Sequence, residues 1–167
     1  MRNVWFTADF HFGHLNIIRY CKRPFGNTQE MDDAIAERVN ACAKPNDVLY
    51  FLGDFCMGRE EQVIDYRKRL ACKTIHFIEG NHDKATRKQQ QLFVSCGVLS
   101  EVNVAKQRIV LCHYAMRVWP HHTMRREPGI FMGIRTLTYP MNLFHSRWML
   151  ESIRMIFVRG ISMKFGL

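Results

Sequence analysis

Three short apolar runs, each broken off by polar residues, constrain this chain more than any other feature. They are Val4 to Ala8, Val48 to Leu52 and Thr74 to Ile78. All are too short for ordinary helices and rich in β-branched and aromatic residues, so each reads as a strand. Val48 to Leu52 is apolar without alternation, the pattern of a strand covered on both faces. Between the runs the spacing becomes helical. His14 to Tyr20 reads as a short helix. Thr28, an N-cap candidate, begins a longer one in which Ala34, Ile35, Arg38, Val39 and Cys42 keep helical spacing until Pro45-Asn46-Asp47 breaks it. Glu60 to Leu70 and Lys84 to Phe93 read as two more helices. Val98 to Ala105 and Arg108 to Cys112 read as further strands, joined near Lys106-Gln107. Strands alternating with helices make an α/β domain.

A length of 167 residues suits one domain with a real core, and 47% apolar with 23% charged residues is ordinary for a soluble globular chain. No apolar stretch is long enough to span a membrane. The first residues, Met1-Arg2-Asn3-Val4-Trp5, read as a strand start and not as a signal peptide, so the expected location is cytoplasmic. None of the six cysteines forms a C-x-x-C pair, which excludes a zinc ribbon or a thioredoxin-type site and leaves reduced thiols. Cys56 and Cys112 lie beside candidate ligands and read as small core residues.

Each strand is followed by residues that bind metals. Asp9 and His11 follow the first, Asp54 the second, Asn81, His82 and Asp83 the third, and His113 a later one. Asp with His suits divalent Mn, Fe, Zn, Co or Ni. Residues two apart at a strand end point to one side, so Asp9 and His11 can share an ion. A carboxylate such as Asp54 can bridge two ions through its two oxygens, while Asn81 offers a neutral oxygen and His113 an imidazole. Two such ions activate water and neutralise phosphate charge. A lone Asp after a strand is more often a turn or cap, and a lone His more often a surface residue. Four such motifs in order, each after an apolar strand, are hard to obtain by accident.

These motifs resemble those of the calcineurin-like metallophosphoesterases, in particular the small bacterial and phage-type branch. The resemblance runs from Val4 to about Trp119. It includes Thr7-Ala8-Asp9-Phe10-His11-Phe12-Gly13-His14 and Cys112-His113-Tyr114-Ala115-Met116-Arg117-Val118-Trp119. It implies a four-layer α/β/β/α sandwich and a dinuclear phosphoester hydrolase acting on mono- or diesters, with manganese the favoured ion. By resemblance, Asp9 and His11 hold the first metal, Asp54 bridges, and Asn81 and His113 hold the second. A metal-activated hydroxide attacks phosphorus. His82 protonates the leaving oxygen or stabilises the charged transition state, and Asp83 orients His82. His14 either contacts substrate phosphate at the site edge or caps the following helix.

The family closes its site with Gly-His-x-His, which this chain lacks. After Trp119 the histidines are His121, His122 and His145, and any of them could serve only if a rerouted segment placed it by chance. Residues 120–167 also change character. They carry six of the ten methionines and no Asp, and they hold +5 of the +9 net charge. A shifted reading frame accounts for this. Joining the third base of each codon to the next two, Pro128 to Thr136 permits Trp-His-Leu-Tyr-Gly-His-Ser-His, with the Gly forced by Met132-Gly133. Ile134 and Thr136 then stand where two ligand histidines would be encoded. Residues 1–119 are therefore expected to form the phosphoesterase domain, with 120–167 an out-of-frame basic tail that leaves the C-terminal part of the fold incomplete. Two other readings are an inactive metal-binding remnant and a basic nucleic-acid-binding module built on the tail. The frame account removes most support for the latter and leaves nucleic acid only as a substrate.

Overall fold

A computed structural model describes residues 2–104 and 106–117, together with the backbone of 130–132 and 156–157. The expectations for Val118, Trp119, His121, His122, Ile134, Thr136 and His145 lie outside the described residues. Four parallel strands lie in the order β4-β3-β2-β1 and build the first sheet. They are β1 (Val4–Thr7), β2 (Val48–Leu52), β3 (Thr74–Ile78) and β4 (Ser95–Gly97). Strand β8 (Ile156–Phe157) joins antiparallel beside β1. The second sheet is β5 (Leu99–Val104), antiparallel to β6 (Gln107–Cys112), with β7 (Ile130–Met132) parallel on its far side. Two short segments of the supposed tail therefore do join the sheets, and both are apolar runs suited to a sheet edge.

Alternating residues of the first sheet feed two cores, as the pleat requires. Leu49, Phe51, Ile75 and Phe77 face helices α1 (Leu15–Tyr20), α2 (Thr28–Cys42) and α3 (Glu60–Arg69) through Ile17, Ile18, Met31, Ile35, Val39 and Val63. Phe6, Ala8, Leu52 and Ile78 face the second sheet through Val104, Ile109 and Leu111. Helix, sheet and sheet are three of the four expected layers. Among the described residues no helix covers the outer face of the second sheet.

Two expectations about helices need correction. The cap of α2 is Asn27, not Thr28: the Asn27 side chain accepts the Glu30 N–H at 2.9 Å. The helix expected over Lys84 to Phe93 is α4 (Lys84–Arg87) followed by a single 3-10 turn at Gln90–Leu92. Phe93 is drawn into the core against Phe77 and Phe55, which ends the helical path and starts β4.

Candidate metal centre

The loops after β1 and β2 run side by side beyond the sheet. The Asp9 N–H donates to the Gly53 carbonyl (2.9 Å), His11 to Asp54 (2.9 Å) and Phe12 to Phe55 (3.0 Å). Both loops are strained. Asp9, His11 and Asp54 have left-handed φ of 60°, 53° and 61°, three of the five such non-glycine residues described. Backbone of this kind persists where the surroundings over-determine it, and it gathers at functional sites.

The strain brings donor atoms together. Asp9, His11 and Asp54 each offer one ligand atom, all within 4.8 Å of one another. His11 Nε2 lies 3.7 Å from Asp9 Oδ1 and 3.5 Å from Asp54 Oδ2. Ligands at about 2.0–2.2 Å from one ion sit at roughly such separations. On the other side His113 Nε2 lies 3.6 Å from the same Asp54 Oδ2 and 3.1 Å from Asn81 Oδ1. His113 Nδ1 stands 2.7 Å from the Leu52 carbonyl, which can only accept, so Nδ1 carries the proton. His113 Nε2, Asn81 Oδ1 and Asp54 Oδ2 thus converge, a nitrogen and two oxygens of the kinds that hold a divalent cation.

The first cluster gives the same result. Asp9 Oδ2 and His11 Nδ1 are buried and have no hydrogen-bond partner among the described residues. Burial, then the neighbouring Asp54, pushes the Asp9 carboxyl up to about 8; Arg23 pulls it back and Asp83 adds to the rise. Burial, then Arg23 and the other histidines, pushes His11 down to about 3, leaving a neutral imidazole able to ligate. Crowded carboxylates with neutral imidazoles are the donor set of a divalent ion.

Asp54 was expected to bridge through its two oxygens. The geometry instead puts one oxygen, Oδ2, between the two imidazoles, because Oδ1 accepts the His82 N–H at 2.9 Å. Asp83 also differs from expectation. Its carboxylate does not reach the His82 ring. It accepts backbone N–H groups from Asp54 (2.6 Å), Gly80 (2.7 Å) and Phe55 (2.9 Å), tying the β2 and β3 loops together. Burial pushes its carboxyl up, and these three donors only partly offset it.

The His82 ring stands 5.4 Å from that of His11 and 6.0 Å from that of His14, centroid to centroid. It has no hydrogen-bond partner on its ring nitrogens among the described residues. His14 precedes α1 but makes no side-chain cap, so the capping alternative fails and the ring stays at the site edge, 5.5 Å from that of His11. Burial, then His82, pushes its pKa down. Cys56 and Cys112 are core residues as expected, and burial pushes the Cys56 thiol up to about 12.

Sequence reasoning missed three supports. Gly53 and Gly80 pack backbone to backbone under the site, where a Cβ on either would meet His113 or Asp54 at 2.4 Å. Asp32, 2% exposed, accepts the Gly13 N–H and the Tyr66 hydroxyl. Arg23, 6% exposed, donates to the carbonyls of Asp9 (2.7 Å) and Phe10 (2.8 Å). Of these, only the two glycines carried a signal, each standing directly before a candidate ligand.

Buried carboxylates and imidazoles gather where parallel strands end in an α/β sandwich, a donor set suited to divalent metal ions. The chain belongs to the calcineurin-like phosphoesterases, whose family model matches residues 2–158. Members of that family are dinuclear metal-dependent hydrolases of phosphoesters. The chain is also 39% identical over 85 residues to an uncharacterized protein of Methanocaldococcus jannaschii, a match covering 50% of this chain and 48% of that one. It thus spans about half the length of that relative. A crystal structure of a protein of unknown function from Aquifex aeolicus shares the fold, with a TM-score of 0.60 at 24% identity over 74% of this chain and 67% of that one. Among the described residues no helix is long and apolar enough to cross a membrane.

Proposed function

We propose that this chain hydrolyses phosphomonoesters or phosphodiesters at a two-metal centre in the cytoplasm, with manganese the favoured ion. The position of Asp54 Oδ2 carries this reading: it lies 3.5 Å from His11 Nε2 and 3.6 Å from His113 Nε2, between two half-sites. Asp9, His11 and Asp54 would hold one ion, and Asp54, Asn81 and His113 the other. When bound, two such ions supply positive charge to the phosphoryl oxygens and lower the pKa of water. Gly53 and Gly80 keep the floor free of side chains. Asp83 fixes the loops bearing Asp54 and Asn81. The main chain of His82 is anchored on Asp54, so its ring is held at the site, where a ring N–H would give a proton to the leaving oxygen. His14 stands where it can contact a substrate oxygen.

Each ion would lack one imidazole relative to the family pattern, since Ile134 and Thr136 stand where the closing histidines would be encoded. The chain as written should therefore bind metal weakly and turn over slowly. Manganese titration by calorimetry, followed by assays with p-nitrophenyl phosphate and its bis ester, tests this. Asp54→Asn should abolish binding and activity, and a frame-restored chain should far exceed the present one. Undiminished manganese binding by Asp54→Asn would refute the shared centre. Equal activity of the two reading frames would refute the frameshift account.

A further inference from the structure

Arg23 is the only lysine or arginine among the described residues that is buried. Its placement begins at the end of α1. Lys22 has a left-handed φ of 49°, its N–H donates to the Arg19 carbonyl (3.3 Å), and the Arg23 N–H donates to the Ile18 carbonyl (2.8 Å). These two bonds form a Schellman motif, with lysine at the position glycine usually takes. The chain accepts that strain and reverses there, and the Arg23 side chain reaches the loop that carries Asp9 and His11.

No carboxylate pairs with the guanidinium among the described residues; Met31 Sδ is its other neighbour, at 3.4 Å from Nη1. Its work is done on two main-chain oxygens. Nη2 donates to the Asp9 carbonyl and Nη1 to the Phe10 carbonyl, the two peptide units that join Asp9 to His11. Neither carbonyl has another hydrogen-bond donor among the described residues. Asp9 and His11 are both left-handed, a conformation that side-chain-bearing residues leave unless they are held.

We propose that Arg23 is a positioning residue for the first metal: its planar fork locks the Asp9-Phe10-His11 backbone in the left-handed geometry that sets Asp9 Oδ1 and His11 Nε2 3.7 Å apart. The fork shape matters, because one rigid group must satisfy two adjacent carbonyls. A lysine ammonium is a flexible point donor and cannot hold both in the same register. Asp32 fixes the far end of the same loop through the Gly13 N–H, so the loop is gripped by its carbonyls at one end and by an N–H at the other. This role rests on the metal-centre reading above.

The test uses the full chain as wild type, Arg23→Lys, Arg23→Met and Asp9→Asn. Manganese affinity is measured by calorimetry, the coordination signature by the visible absorption of the cobalt-loaded protein, and the fold by circular dichroism. Arg23→Lys should stay folded, lose about 10–100-fold in manganese affinity and change the cobalt spectrum. Arg23→Met should lose more. Should Arg23→Met not fold, Arg23→Lys decides. Wild-type affinity and an unchanged cobalt spectrum in a folded Arg23→Lys overturn the assignment. So does failure of both variants to fold, since Arg23 would then hold the domain at large. If the wild type binds and Asp9→Asn does not while the Arg23 variants are unaffected, only the positioning role falls. If neither the wild type nor the frame-restored chain binds either ion, the metal centre itself falls.

Discussion

Replacing Gly53 with alanine sets a backbone problem and a packing problem at one atom. Gly53 has φ +87°, and a Cβ there would lie 2.4 Å from His113 Nδ1 and 2.8 Å from both Cα and N of Gly80. The left-handed backbone costs an alanine about 1–2 kcal/mol. Forcing the glycine backbones apart costs about 1–3 kcal/mol more, as overpacking does. At roughly 2–4 °C per kcal/mol for a chain of this size, Tm should fall by about 4–20 °C. The same Cβ displaces His113 Nδ1 from the Leu52 carbonyl and swings Nε2 away from Asn81 and Asp54, so manganese affinity should fall as well. Gly97→Ala is the control, because its Cβ would meet only the Leu99 carbonyl oxygen at 3.6 Å, an ordinary contact. Circular dichroism melts with and without manganese read both effects. If Gly53→Ala melts alongside Gly97→Ala and binds manganese like the wild type, the close approach of Gly53, Gly80 and His113 is wrong.

In the metal-free protein Asp9, pushed up to about 8 by burial and then by Asp54, holds a proton that the unfolded chain has released. Stability without metal should therefore fall as pH rises from about 4 to about 8, a trend that Asp9→Asn flattens in melts across that range. Manganese must displace this proton, so calorimetry should show tighter binding at about pH 8 than at about pH 6. Asp47 has the opposite sign. Burial pushes its carboxyl up, but N–H groups of Lys44 (3.0 Å), Asn3 (2.9 Å) and the Trp5 indole (3.2 Å) outweigh it and hold the pKa below the usual range. That contribution is present above about pH 4 and lost as pH falls further. Asp47→Asn turns an amide nitrogen toward donors, so denaturant melts should show a loss of about 1–3 kcal/mol near pH 7 and less near pH 3.

The strands were legible because burial on both faces leaves apolar runs with abrupt ends. The candidate ligands stood out because each lies within three residues of the end of such a run. Thr28 and Asn27 are both good caps, and only the Glu30 contact decides between them. The break in Lys84 to Phe93 follows from Phe93 turning to Phe77, a tertiary demand that local periodicity does not record. Asp83 looked like a partner for its neighbour His82, yet its acceptors are filled by Gly80 and by a loop nearly thirty positions earlier. Arg23 gave no signal at all, because a single arginine after a helix reads as a solvated cation until the loop it grips is in view.

Strand β1, which leads into Asp9 and His11, sits between β2 and β8, pairing Trp5 with Phe157 and Phe6 with Ile156. One flank closes early and the other depends on residues synthesised about 150 positions later. At ribosomal rates of about 5–20 residues per second, β1 waits roughly 8–30 s with that edge bare. Through that interval β1 is an open template for any passing chain. Nascent copies crowded on one message would meet first at this edge, so conditions that slow elongation should favour their aggregation.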